Sequence, residues 1–280
     1  MSEELARLGS LGWAAPQQSE DGVRHASRTD KDTLSYPDEG LDLLGLEGGV
    51  GYWFDHRARA VAHVLRDFGV STMWEVGSGT GAMAKRLTPP LREVVTVEPM
   101  VNGARAAAAL GLEALCGTLQ ELDLPSDSIE CLGAFDVIEH IPEVFDFLNE
   151  VRRVLQPGGI AVITVPAFSF LWGEEDDVAG HQRRYTKKTL QQQLASCGFT
   201  TVRTEYLYAS LVAPAALARA LPYKLGRRRT KAQVLSAMQS QLRVSPRIDR
   251  LARSVLSLEM ALARRVQLPA GLSLLTAAQT

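Results

Sequence analysis

Residues 74–81 read Trp-Glu-Val-Gly-Ser-Gly-Thr-Gly, and this stretch decides the fold. The run Thr72–Val76 predicts a strand, and the three glycines predict a tight turn into a helix over Ala82–Leu87. Glycine lets the backbone adopt positive φ and approach a ligand closely, because it has no Cβ. This turn follows the carboxyl end of the strand, where open α/β sheets bind ligands. The G-x-G-x-x-G spacing of nucleotide-binding dehydrogenases does not occur here.

The segments on either side of this turn alternate between strands and helices. A helix is predicted from Trp53 to Phe68. Further strands are predicted at Val94–Val97, Leu112–Cys116, Ile129–Val137, Ile160–Val165, Phe199–Tyr206 and Gly271–Ala277, and further helices at Phe145–Leu155 and Lys187–Ala195. This alternation implies a parallel sheet covered on both faces. We therefore predict an α/β fold with a Rossmann-like, doubly wound and mostly parallel sheet.

The predicted organisation has four parts. An N-terminal arm (residues 1–50) begins with a polar stretch that is expected to be loosely ordered. A Rossmann-like core (51–206) is followed by a helical lid insertion (207–270) and a final core strand (271–280). We therefore expect the insertion to lie between the last two strands.

Composition excludes several classes of protein. Hydrophobic residues make up 46% and charged residues 22%, and the net charge of −2 gives no reason to expect a nucleic-acid partner. The three cysteines are far apart and form no C-x-x-C pair, which argues against a zinc site and fits a reducing cytoplasm. Neither a signal peptide nor a run of roughly 20 apolar residues that could span a membrane is recognised.

Glu98 is the second informative residue. It ends the second predicted strand, roughly 20 residues beyond the glycine turn, where a carboxylate can accept both hydroxyls of a ribose. Its Val-Thr-Val-Glu-Pro context and its spacing favour this role over a solvated strand end.

Four motifs occur in order: the glycine turn, Glu98, Phe-Asp-Val-Ile-Glu-His at 135–140, and Leu-Gln-Pro-Gly-Gly at 155–159. Together they resemble the class I S-adenosylmethionine-dependent methyltransferase family, over about residues 74–199. The resemblance implies that the glycines border the methionine and adenosine of S-adenosylmethionine, with Glu75 near the amino group. Many relatives have an aspartate beside adenine at the place of Thr118. The cofactor-binding residues implied in this way are Arg57, Glu75, Gly77, Ser78, Gly79, Gly81, Glu98, Pro99, Thr118, Leu119 and Phe135.

The segments on either side of the core resemble one subgroup of this family. Residues 52–57, Tyr-Trp-Phe-Asp-His-Arg, are similar to an aromatic-Arg signature of bacterial methyltransferases, often of cell-envelope or secondary-metabolite pathways. Leu258-Glu259 and the segment 268–275 resemble the end of the same group. In that group Arg57 could pair with the carboxylate of the cofactor, since a guanidinium matches a carboxylate bidentately. Ordinary helix packing is the alternative for Trp53 and Phe54.

The resemblance leaves few residues to carry the chemistry, because methyl transfer mainly requires alignment and, where needed, removal of a proton. His140 and His181 are the candidate bases, since imidazole titrates near neutral pH. Their alternatives are shaping a turn and anchoring a loop. Trp172, Arg184 and Tyr185 are the candidate residues of the acceptor pocket, although core packing would equally explain Tyr185.

Two further segments are predicted to have structural rather than chemical roles. The acidic run at 174–177 is predicted to be a solvated loop rather than a magnesium site, because neighbouring side chains point apart, and no metal site is predicted. The apolar run Leu211–Leu221, followed by Arg227–Arg229, is predicted to be part of a lid. Packing against the sheet or a second copy in a homodimer is its more common role, and a membrane surface or lipid-linked substrate is the alternative.

The sequence thus predicts a methyltransferase that uses S-adenosylmethionine and acts on a small-molecule acceptor, with a hydroxyl oxygen favoured over nitrogen. A methyltransferase-like protein that binds a ligand or a partner without catalysis is the second hypothesis. An oxidoreductase is a weaker third.

Overall fold

The computed structural model describes residues 2–26, 51–88, 91–242 and 244–280. Its strands form one sheet. They are β1 (Arg24–His25), β2 (Thr72–Val76), β3 (Glu93–Glu98), β4 (Glu113–Cys116), β5 (Ile129–Phe135), β6 (Leu155–Pro166), β7 (Thr200–Leu207) and β8 (Ser273–Gln279). The spatial order is β1-β4-β3-β2-β5-β6-β8-β7.

The helices cover both faces of this sheet. They are α1 (Glu3–Ser10), α2 (Tyr52–Asp67), α3 (Ala82–Leu87), α4 (Val101–Ala109), α5 (Val144–Val154), α6 (Glu174–Ala179), α7 (Lys187–Ser196), α8 (Val212–Ala215), α9 (Leu221–Lys224), α10 (Lys231–Leu242) and α11 (Pro246–Ala263), with a π-helical segment at Ala216–Ala220. None of the helices in the described part of the chain combines the length and the hydropathy needed to cross a bilayer.

Strand pairing confirms the predicted fold class. Strands β1 to β6 pair in parallel, whereas β8 inserts antiparallel between β6 and β7. The chain between β7 and β8 is helical, and residues 207–270 are called the insertion below. The carboxyl ends of β2, β3, β5 and β6 therefore lie along one edge of the sheet.

Residues 156–159, between the predicted helix Phe145–Leu155 and the predicted strand Ile160–Val165, do not form a separate element. They lie inside β6 as an irregularity, since Ile129 pairs with Leu155 while Cys131 pairs with Ile160. The chain end holds them there: the amide of Gly158 donates to the Thr280 hydroxyl at 3.0 Å. Pairing of Leu155 with Ile129 of β5, together with this contact to the chain end, therefore extends β6 through its glycines.

The N-terminal segment is more ordered than predicted. Leu5 and Leu8 of α1 are buried in the core, and Trp13 packs edge-on against Trp74 at 6.3 Å between ring centroids. Strand β1 extends the sheet beside β4. The prediction of a loosely ordered arm was wrong for residues 2–26, because the few apolar side chains of this polar stretch pack against strands that are distant in the sequence. Residues 27–50 of that arm lie outside the described ranges.

The core has two halves, one on each face of the sheet. Alternating strand residues divide between them: Trp74 and Val97 face the half that contains α5, and Met73 and Val94 face the half beneath α2. Both halves are dry and continuous, so the carboxyl edge of the sheet rests on a rigid support.

Candidate functional site

The glycine turn after β2 has the geometry that its sequence predicts. Gly77, Gly79 and Gly81 have φ of 67°, 54° and 76°. A Cβ on Gly77 would lie 2.6 Å from Val137 Cγ2, and one on Gly81 would lie 2.9 Å from Ala107 Cβ. Larger residues are excluded by both conformation and space, so the backbone here remains open to a ligand.

Glu98, at the end of β3, lies against this turn. Its Oε2 accepts from the amide of Gly79 at 2.7 Å, and its Oε1 accepts from Met100 at 2.9 Å. Burial raises the pKa of Glu98 to about 7, although these two hydrogen bonds oppose the shift. A Cβ on Gly103 would lie 2.8 Å from Glu98 Cγ. Gly103 is therefore a residue of the site that the sequence analysis missed.

A second buried carboxylate, Glu75, lies on the neighbouring strand. Burial raises its pKa to about 8, against a hydrogen bond from the Ala84 amide and the charge of Arg57. Within the described residues, its Oε2 has no hydrogen-bond partner. Arg57 is itself buried and its Nη2 lies 2.5 Å from Asp136 Oδ2, while Asp136 Oδ1 accepts from Thr164 at 3.0 Å. The arginine predicted to meet the cofactor thus lies at the carboxyl end of β5.

The two candidate bases meet at the same edge. The rings of His140 and His181 lie 4.7 Å apart, nearly perpendicular. His181 Nδ1 is 2.7 Å from Asp176 Oδ1, and Arg184 holds the same carboxylate through Nε at 2.7 Å and Nη2 at 3.0 Å. Burial lowers the pKa of His140 to about 4. Glu139, beside His140, is fully buried.

Comparison with known proteins agrees with this geometry. Residues 74–163 match the family model described as a methyltransferase domain. The matched segment makes up about a third of the chain, from the end of β2 to the middle of β6. It contains the glycine turn, Glu98 and the strand end at Asp136, so the family match and the buried site coincide.

Two curated relatives and one solved structure resemble the chain. A ubiquinone biosynthesis O-methyltransferase of Bradyrhizobium sp. (strain ORS 278) is 30% identical over 98 residues, covering 33% of this chain and 38% of the relative. A Mycolicibacterium smegmatis protein named as a probable S-adenosylmethionine-dependent methyltransferase is 28% identical over 153 residues, covering 53% of this chain and 59% of the relative. The chain therefore spans less than two thirds of either relative.

The solved structure is an S-adenosylmethionine-dependent methyltransferase from Thermotoga maritima. It superposes with a TM-score of 0.53 at 16% identity, over 86% of this chain and 95% of that one. At this identity the likeness concerns the fold. It supports the Rossmann-like arrangement of the methyltransferase domain.

Thr118 stands where many relatives have an aspartate beside adenine, and its hydroxyl is bound within the protein. The Thr118 hydroxyl donates to Glu121 Oε2 at 3.0 Å and accepts from the Glu121 amide at 3.2 Å. The Leu119 side chain is buried in the core. Thr118 thus shapes a turn with Glu121, a partner that the sequence analysis did not identify.

The remaining implied cofactor residues are placed as follows. The Pro99 carbonyl accepts from the Cys116 thiol at 3.7 Å, and the buried Phe135 ring packs in the core half that contains Met73. Ser78 is buried in the glycine turn, and its hydroxyl has no hydrogen-bond partner within the described ranges. Contact of any of these residues with the cofactor stays a prediction.

The acidic run at 174–177 contradicts its interpretation as a solvated loop. It forms α6, and Glu174, Glu175 and Asp176 are buried. Arg229 of the insertion reaches Glu174 at 2.7 Å and Glu175 at 2.8 Å, and Arg219 reaches Glu175 at 3.1 Å. The prediction was wrong because the cations that cover these carboxylates come from residues more than 40 positions away. They tie the insertion to the domain.

The three candidate pocket residues have different surroundings. The Trp172 indole donates to Asp177 Oδ1 at 2.8 Å, and Arg184 is held by Asp176. Tyr185 is buried in the core, which fits core packing, the alternative to a pocket role that the sequence left open for this residue. Of the three, only Trp172 is linked to the insertion, because its partner Asp177 also accepts from the Tyr223 hydroxyl at 2.8 Å.

The start of the insertion is fixed to α2 and α11. Tyr208 stacks on Trp53 with 3.7 Å between ring centroids, and its hydroxyl donates to the Trp53 carbonyl at 2.6 Å. Glu259 accepts from the amides of Ala209 and Ser210, each at 2.8 Å. These contacts explain the Trp53 and Leu258-Glu259 signatures as structural links between the domain and the insertion.

Proposed function

We propose that this protein transfers the methyl group of S-adenosylmethionine to a hydroxyl oxygen of a small-molecule acceptor. The observation that carries the proposal is the pair of buried carboxylates, Glu75 and Glu98, on either side of three positive-φ glycines. Their roles follow from their places: Glu98 suits the ribose and Glu75 suits the cationic amino group. Arg57, close to Glu75, is the group we assign to the carboxylate of the methionine.

S-adenosylmethionine, when bound, supplies a methyl group on a positively charged sulfur. The role left to the protein is to hold the acceptor oxygen in line with that methyl group and to take up the proton that the acceptor would lose. Proton removal falls to the histidine pair at the carboxyl edge. Because His181 Nδ1 faces Asp176, its Nε2 is the atom that can accept the proton directly.

Two observations favour this acceptor class. One relative is named as an O-methyltransferase of ubiquinone biosynthesis. Trp172, whose partner Asp177 also accepts from Tyr223 of the insertion, offers an aromatic surface for a small substrate. We propose the insertion as the lid over this substrate, and a reducing cytoplasm as the compartment because Cys116, Cys131 and Cys197 are free and buried.

The first prediction is that the purified chain binds S-adenosylmethionine and S-adenosylhomocysteine in a one-to-one ratio. The turn, Glu75 and Glu98 are already placed for the ligand, so little ordering should oppose binding. Isothermal calorimetry measures it, with NAD as the control ligand. A folded sample that gives heat with NAD and none with S-adenosylhomocysteine would overturn the methyltransferase proposal in favour of an oxidoreductase.

A binding protein without catalytic activity is the second candidate, and turnover separates the two. Formation of S-adenosylhomocysteine with catechol-type and other phenolic acceptors supports the enzyme. Cofactor binding without product across a broad acceptor panel supports the binding protein.

A further inference from the structure

Three potential metal ligands converge beside the proposed acceptor site. The ligand atoms of Glu139, His140 and His181 lie within 4.8 Å of one another. Glu139 is fully buried, and neither of its oxygens has a hydrogen-bond partner among the described residues. Burying an ionised carboxylate without a partner is costly, so Glu139 is neutralised either by a proton or by a cation, and a cation can use the two neighbouring imidazoles as well.

The surroundings of these ligands are ordered in the manner of a metal site. His181 Nδ1 faces Asp176 at 2.7 Å, which leaves the opposite nitrogen as the one that can bind a metal ion. Asp176 is fixed in turn by the Gly173 amide at 2.8 Å, in addition to Arg184. A histidine with a carboxylate behind it is the usual outer arrangement of a metal-binding imidazole.

The two ligand-bearing loops are also joined to each other. The amide of Gln182 donates to the Glu139 carbonyl at 2.8 Å, so the loop after β6 is held to the end of β5. The sequence suggested no metal site because His181 lies 41 positions beyond His140 and only Glu139-His140 are adjacent. The fold brings them together at one edge of the sheet.

We propose that Glu139, His140 and His181 bind a divalent transition-metal ion. Two imidazoles and one carboxylate suit zinc, cobalt or iron better than magnesium, which prefers oxygen ligands throughout. Binding of the ion does not depend on the function proposed above. The role of the ion does depend on that function. A coordination position that no side chain occupies would take the acceptor hydroxyl and promote loss of its proton to water, in place of a direct histidine base.

The test uses the full chain, freed of metal by a chelator and dialysed. Titration with Co²⁺ should give visible ligand-field absorption that saturates at one ion per chain, and Zn²⁺ should displace it. Glu139→Gln and His181→Gln should each weaken Co²⁺ binding at least about tenfold, and Asp176→Asn should weaken it by roughly 10–100-fold. His63→Gln, a histidine on α2 outside the cluster, is the matched control.

Binding of S-adenosylhomocysteine shows whether each variant is folded, because none of the three ligands lies in the glycine turn. Saturable Co²⁺ binding that disappears in the variants supports the site, whether or not methyl transfer is found. No Co²⁺ spectrum, or one unchanged in the variants, overturns it. Full turnover by protein containing no metal would leave the direct histidine base as the mechanism and overturn the role of the ion.

A different observation concerns the insertion, whose charge is opposite to that of the rest of the chain. Residues 207–270 contain 12 lysines and arginines and 2 acidic residues, whereas the remaining residues contain 18 and 30. The insertion also exposes a stripe of apolar side chains along α11, with Leu251 66% and Leu258 73% exposed. The stripe consists of Ile248, Leu251, Val255, Leu258 and Leu262, spaced three and four residues apart.

We infer that this stripe docks on an anionic membrane surface. Apolar side chains on one helix face, bordered by arginines such as Arg247 and Arg250, are the features of helices that lie in the lipid interface. Each basic residue near an anionic surface contributes about 1 kcal/mol. A second copy of the chain is disfavoured as the occupant, because two surfaces with this excess of positive charge repel each other.

Sedimentation with vesicles tests the docking. The chain should pellet with phosphatidylcholine vesicles that contain phosphatidylglycerol, remain in solution with phosphatidylcholine alone, and be released by high salt. The double variant Leu251→Gln, Leu258→Gln should lose most of the binding, whereas Leu11→Gln, an exposed leucine outside the insertion, should keep it. Absence of pelleting, equal binding by the double variant, or a dimer that this variant abolishes would each overturn the inference.

Discussion

Replacing Glu98 by alanine is expected to weaken binding of S-adenosylhomocysteine by about 100-fold or more at pH 8, since two hydrogen bonds to a charged group contribute roughly 1.5–3 kcal/mol each. The residue ends β3 beside the glycine turn, where both its oxygens already accept amide hydrogens from Gly79 and Met100. The ribose hydroxyls would meet the same carboxylate. Calorimetric titration of parent and variant measures the loss.

The matched control is Glu93→Ala, which removes the same side chain from the opposite end of the same strand. Its affinity should equal that of the parent. Because Glu98 also holds the turn, circular dichroism must show that the variant is folded. Unchanged affinity in a folded Glu98→Ala protein would mean that the ribose is bound elsewhere, and the assignment of the cofactor site would fail with it.

The sequence predicted the conformation of the glycine turn well, because a local backbone conformation depends on residues that are close together in the chain. A turn with three positive φ angles needs glycines at 77, 79 and 81, and a strand end that faces a ligand leaves Glu98 directly after a buried run. Both signals lie within a few residues of the feature they report. Gly103 was not predicted, because the side chain that leaves no room for a Cβ there is Glu98, which belongs to a different element.

The acceptor side could not be predicted in the same way, since its contacts join distant segments. Glu175 was interpreted as part of a solvated run, and only the fold shows Arg219 and Arg229 against its carboxylate. The Arg229 guanidinium that covers Glu174 belongs to the insertion. Long-range ion pairs have no spacing rule, so their partners cannot be chosen from the sequence alone.

Glu75→Gln should make the ligand-free protein more stable at high pH while weakening its affinity for S-adenosylmethionine. Burial raises the pKa of Glu75 to about 8. The folded chain therefore keeps a proton that the unfolded chain releases near its ordinary pKa. The stability from this group is fully present below the unfolded pKa and is lost as the pH rises through about 8. One pKa unit corresponds to about 1.4 kcal/mol, so the loss amounts to several kcal/mol.

Urea unfolding of the ligand-free protein near pH 5.5 and pH 8.5 measures this effect. Glutamine carries no charge, so the variant should lose less stability between the two conditions than the parent, and Glu98 should account for part of what remains. Glu130→Gln, on the neighbouring strand at the opposite edge of the sheet, is the control and should retain the slope of the parent. The cofactor's amino group is cationic, so affinity at pH 8.5 should fall in Glu75→Gln even as stability rises. A variant less stable than the parent at pH 8.5 would show instead that Glu75 is ionised and held by Arg57.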